Sequence, residues 1–203
     1  MRVLIVCSFL LLTASALTAE EVEVYLLGGQ SNMQGIGKTS KLEPEQLKAP
    51  QKVFFFEGEE FTPLIPGTTQ TSHRKGDFGP ELGFAAAIAD SDRSTYLVKY
   101  SAGGMPLHHG WNGGKWRGGE PAPKSFNFYP GQSVDDPATG VLYTRMLKRF
   151  QAALEKIRAA GKEPVIRGFL WMQGEQDSKH RESAENYAES LAGLKRRLSE
   201  DLG

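Results

Sequence analysis

The chain has 203 residues, of which 39% are hydrophobic, enough for one domain with a sizeable core. Its 24 Lys and Arg balance its 24 Asp and Glu, and no basic stripe gathers on any segment, which argues against nucleic acid as a partner. The single cysteine, Cys7, lies within an N-terminal apolar leader, so disulfides, a cysteine nucleophile and thiolate metal sites are excluded from the mature chain.

Arg2 precedes the apolar stretch Val3 to Leu12, and small residues follow through Ala19. That order reads as a secretory signal over residues 1–19, cleaved near Ala16 or Ala19. About ten strongly apolar residues are too few to span a bilayer. A secreted or periplasmic protein is expected, without membrane attachment after cleavage.

Past the leader, strands and helices alternate. Val22 to Leu27 is a predicted strand. Lys52 to Glu57 is a second, turning at Gly58 and returning through Glu60 to Leu64. Glu81 to Ala89 reads as a helix with Pro80 at its first turn. Thr95 to Tyr100 is a third strand, closed by Ser101-Ala102-Gly103-Gly104. A glycine- and proline-rich stretch then runs to Gly140 with no regular pattern, and so long a connection is usually functional or mobile. Leu142, Met146, Phe150, Leu154 and Ile157 recur at helical spacing within Val141 to Ala160, and Gly161 stops that helix. Pro164 to Met172 is a fourth strand, and Ser183 to Leu198 a last amphipathic helix, with Lys195-Arg196-Arg197 suited to its C-terminal dipole.

This alternation predicts an α/β fold, a mainly parallel sheet with helices on both faces. Sites in such sheets form at the carboxyl ends of the strands. Three strands end there in glycine-bearing polar turns: Gly29-Gln30-Ser31, Gly103-Gly104 and Gln173-Gly174-Glu175. Ser31, in Gly28-Gly29-Gln30-Ser31-Asn32-Met33, is the candidate nucleophile, although Met33 replaces the second glycine of a Gly-x-Ser-x-Gly elbow. Ester hydrolysis through a serine also needs a base, an acid to orient it and donors for the oxyanion. The backbone N–H of Ser31, that of Gly103 or Gly104, and the side-chain amide of Gln173 are the candidate donors. For the base, Asp177-Ser178-Lys179-His180 has an Asp-x-x-His spacing, while His108 and His109 lie on the long loop. His73 reads as a surface residue. Trp111 and Trp116, with Asn32, are candidate substrate contacts, the tryptophans serving either sugar stacking or a small satellite core. Glu175 is either a pocket residue or a buried acid paired with Arg167 or Lys99. The four histidines form no metal motif, so no metal is expected.

Gly29-Gln-Ser-Asn-Met33, Lys99-Tyr-Ser-Ala-Gly-Gly104 and Trp171-Met-Gln-Gly-Glu-Gln-Asp177 resemble the SGNH hydrolase superfamily. Together with Phe78-Gly-Pro-Glu81 they resemble, more narrowly, its sialate O-acetylesterase and acetylxylan esterase branch, carbohydrate esterase family six. The resemblance covers residues 22–203. It implies a flavodoxin-like three-layer α/β/α domain without metal or organic cofactor, which removes O-acetyl groups from a carbohydrate. It also implies Ser31 as nucleophile, Gly103 (with Gly104 the competitor) as oxyanion donor, and Gln173 in the oxyanion role of the superfamily's asparagine. Glu175 matches a family glutamate. The family carries an Asp-x-x-His pair after one more strand, whereas this sequence reaches Gly203 where that strand would begin. An esterase domain over residues 20–203, lacking its last strand and helix, is therefore expected, of marginal stability. The alternative expectation is a catalytically inactive carbohydrate-binding remnant.

Overall fold

A computed structural model describes residues 19–203. The leader read over residues 1–19 lies outside these, save for its last residue. Strand β1, Glu20–Gly29, is the hub of a five-stranded sheet. It pairs in parallel with the strand Thr95–Ser101 on one side and with the strand Lys162–Met172 on the other. With β2 as Val53–Phe56, β3 as Phe61–Pro63, β4 as Thr95–Ser101 and β5 as Lys162–Met172, the order across the sheet is β3-β2-β4-β1-β5. Only the β2–β3 hairpin is antiparallel.

Alternation along the inner strands divides the core into two layers. Val22, Val24 and Leu26 of β1 join Tyr96 and Val98 of β4 on one face. That face is covered by helix α2, Val141–Ala159, and helix α3, Tyr187–Leu202. The residues predicted for the apolar stripe of α2, Leu142, Met146, Phe150, Leu154 and Ile157, are all buried there. On the other face Leu27, Val53, Phe55 and Leu97 pack with Ala85 of helix α1, Glu81–Ile88. A strand buried on both faces must be apolar in both registers, hence the near-continuous apolar runs. The three-layer α/β/α expectation holds.

Two expectations need adjustment. The single helix predicted over Ser183 to Leu198 is two, Arg181–Glu185 and α3, parted at Asn186. Ser183 is buried and its hydroxyl is bound to Asp177, which fixes the first piece to the sheet edge. The strand predicted from Pro164 starts at Lys162. A proline fits within it because β5 is an edge strand, paired on one side only among the described residues.

The stretch from Gly104 to Gly140 is braced rather than loose. Trp111–Asn112 and Lys115–Trp116 form a small antiparallel ribbon. Asn127 is fully buried and donates to the carbonyls of Trp111 at 2.7 Å and His109 at 3.3 Å. Leu107 and Phe128 enter the main core. Among the described residues no helix is long and apolar enough to cross a membrane.

Candidate active site

The in-register pairing of β4, β1 and β5 brings their carboxyl ends side by side, with Gly29 opposite Ser101 on one side and Met172 on the other. Gly29 has φ +150°, and a Cβ there would lie 2.1 Å from the Met172 carbonyl oxygen. Only glycine permits so close a strand approach. Gln30 N–H then donates to that same carbonyl at 3.0 Å, and the chain turns into the one-turn helix Ser31–Gln34. Ser31 is exposed at its start, while Met33 is buried and anchors the turn.

Lys99 holds this turn from below. Its ammonium donates to the carbonyls of Met33 at 3.3 Å and Gln34 at 3.1 Å, and to Glu81 at 2.7 Å. The side chains of Lys99 and Glu81 are 4% and 0% exposed. Burial pushes the Lys99 ammonium down, and the facing Glu81 carboxylate opposes that shift. The sequence reading did not assign this pair to the site. Its signal was a lysine in the run Tyr96-Leu-Val-Lys-Tyr100, otherwise apolar or aromatic, a charge where the sheet admits only one with a partner.

At the end of β4, Ala102 N–H donates to the Gly29 carbonyl at 3.0 Å. This brings Gly103 beside the nucleophile, for a Cβ built on it would lie 3.8 Å from Ser31 Cβ. Gly104, with φ +68°, has nothing within 4 Å of the space its Cβ would fill. Among the described residues no protein acceptor meets the N–H of Ser31 or Gly103. Two amides without a protein acceptor therefore lie at this turn, that of Ser31 and that of Gly103, and they are the candidate oxyanion donors.

The third strand end departs from expectation. The Gln173 amide nitrogen donates to the Met105 carbonyl at 3.1 Å and to Asp177, which engages both of its N–H groups. Its oxygen is buried and unpartnered. Gln173 thus braces the loop instead of offering an N–H beside Ser31. Asp177 is fully buried and also accepts from the backbone N–H of Leu107 at 2.8 Å and His108 at 2.9 Å, and from the Ser183 hydroxyl at 2.7 Å. A carboxylate so saturated cannot orient an imidazole. The Asp177–His180 spacing is therefore not a catalytic pair: the His180 ring stacks on Trp116 at 3.7 Å, and its Nδ1 is buried without a partner.

Trp111 is 4% exposed and donates its indole N–H to Ser183 at 2.9 Å, so it is satellite core and not a sugar platform. Trp116 is half-buried between Trp111, His108 and His180. Asn32 and Glu175 are both exposed and hydrogen-bonded to one another at the rim, which overturns the reading of Glu175 as a buried acid. Its supposed partners are taken, Lys99 by Glu81 and Arg167 by Glu23. His108 and His109 stack at 4.2 Å, and burial pushes both imidazoles down. They line a cavity of about 680 Å³ with Tyr129, Glu182, Glu189 and Arg196, a wall that does not include Ser31. His73 is exposed. Among the described residues no histidine hydrogen-bonds to the Ser31 hydroxyl, and no His, Cys, Asp and Glu cluster could hold a metal.

Residues 21–203 match the family described as carbohydrate esterase, sialic acid-specific acetylesterase. The chain belongs to this family. The chain is similar in structure to a protein from Arabidopsis thaliana, with a TM-score of 0.61 and 22% identity over 89% of this chain and 68% of the other. A carbohydrate acetylesterase from Xanthomonas citri aligns with a TM-score of 0.50 and 17% identity, over 88% of this chain and 38% of its own. NanS aligns with a TM-score of 0.49 and 16% identity, over 91% and 64%. The chain therefore spans under two thirds of the length of the latter two. At these identities the structural likeness concerns the fold. No curated protein matches the chain in sequence.

Proposed function

We propose that this carbohydrate esterase removes O-acetyl groups from an acidic sugar of the sialic acid class through an acetyl-enzyme on Ser31. The observation that carries the reading is an exposed serine with two free backbone donors, its own N–H and that of Gly103, at the edge where three strands end. Ser31 Oγ attacks the acetyl carbonyl and gives up its proton. The oxyanion is held by the N–H groups of Ser31 and Gly103, and the sugar leaves as its alcohol, taking a proton. Water then adds to the acetyl-enzyme, releasing acetate and restoring the serine. The basic, apolar leader supports an exported enzyme.

A second reading, sugar binding without turnover, is favoured by the absence of any histidine on Ser31 among the described residues. Hydrolysis of p-nitrophenyl acetate by the full chain, beside Ser31→Ala, tests the two. A competent serine makes the variant slower by about a hundredfold or more, and mass spectrometry traps an acetyl group on Ser31 of the parent. Equal rates with no acetyl adduct favour the binding protein.

A further inference from the structure

A second cavity, about 360 Å³, opens at the carboxyl ends of β2 and β4. It meets the nucleophile's surroundings at two residues. Gln34 ends the one-turn helix that Ser31 starts, and its side-chain oxygen lies against Gly103. Ser101 is the register partner of Gly29. The cavity wall also includes Arg149, from the middle of α2.

Arg149 is half-buried and has no carboxylate at salt-bridge distance among the described residues. Its Nη2 donates to the Phe56 carbonyl at 2.6 Å, its guanidinium lies over the Phe56 ring at 5.3 Å, and its Nε is buried without any acceptor. Burial pushes its pKa down, with Tyr100 opposing the shift. A neutral donor would serve the Phe56 carbonyl as well, so that bond does not explain a charge. The two buried Lys and Arg side chains among the described residues have their anions: Lys99 has Glu81, and Arg197 has Asp201. A partly buried guanidinium on a cavity wall, without a counter-ion, is placed to receive an anion. Glu57, also on the cavity wall, is occupied by the Thr62 hydroxyl at 2.6 Å and the Gln70 N–H at 3.4 Å.

We infer that this cavity takes the carboxylate of an acidic sugar, with Arg149 as its anion-binding residue. The inference rests on the reading of Ser31 as the esterase nucleophile and separates acidic from neutral acetylated sugars at that site. With Nη2 on the Phe56 carbonyl and Nε buried, Nη1 is the nitrogen left to meet a carboxylate, in a charge-assisted hydrogen bond.

Calorimetric titration of the full chain with N-acetylneuraminic acid, and with its uncharged methyl ester, tests the assignment. The acid is expected to bind about 10- to 100-fold more tightly than the ester, the range for a hydrogen bond to a charged group. Arg149→Gln should abolish that preference and leave ester binding unchanged, while Arg149→Lys should retain part of it. Gln70→Glu adds a carboxylate at an exposed rim position without touching the core. It should weaken binding of the acid alone, and it decides the matter if Arg149→Gln does not fold. Equal binding of acid and ester, no binding of the acid, or full preference in a folded Arg149→Gln protein overturns the proposal. The titration needs no turnover, so an inactive Ser31 would leave its outcome readable.

Discussion

Asp177 shows how the fold can claim a side chain that spacing offers to catalysis. Four donors converge on one buried carboxylate, from Leu107, His108, Ser183 and Gln173. Together they tie the loop after β4 to the segment after β5. Asp177→Asn would turn an amide N–H toward donors that already face it. Hydrogen bonds to a charged group each contribute about 1.5–3 kcal/mol, so urea denaturation should show a loss of about 3 kcal/mol or more. A residue that orients a catalytic histidine would instead lower turnover with little change in stability. Trp111 follows the same logic, since its indole N–H completes the Ser183 bond within this network. An aromatic in a polar loop reads equally as platform or as core, and only its partner settles which.

At the scale of elements, the nucleophile depends on a helix of four residues, too short to hold itself. What fixes it is β4 beneath, through Lys99 and the Met33 and Gln34 carbonyls, and α1 beside, through Glu81. Glu81 also accepts the Gly79 N–H at 2.8 Å, joining the start of α1 to the same cluster. Lys99→Met would strand the Glu81 carboxylate in the core and should cost about 3–5 kcal/mol in chemical denaturation. The double change Lys99→Met with Glu81→Gln should recover part of that stability, since no uncompensated charge remains. Acetyl-enzyme formation should stay impaired in the double variant, because the two turn carbonyls lose their donor.

For the whole molecule, the stacked pair His108 and His109 makes stability depend on pH. Burial holds both below the ordinary 6.5, so the unfolded chain binds more protons than the folded one once the pH falls under that value. Their contribution is complete above about pH 6.5 and is lost as the pH falls through their lowered folded values. Protonation would also cost His108 Nδ1 its role as acceptor for the Gly110 N–H at 3.0 Å. The melting temperature should therefore drop on acidification below 6.5, and His109→Gln should show a shallower fall. Apolar periodicity by itself determined the strands, the helices, their alternation and the parallel sheet, because burial on one or two faces writes directly into residue order. Parallel order with glycine-bearing strand ends also brought Ser31 and the Gly103-Gly104 turn to one edge, since that geometry follows from strand direction; the Gly103 contact with Ser31 is tertiary. The roles of Gln173, Asp177, His180 and Trp111, and the pairing of Lys99 with Glu81, were decided only by the tertiary structure. His180 turns on its stacking against Trp116, and the others on which donor meets which acceptor across separations of 4 to 72 residues; such partnership is a property of packing, not of spacing.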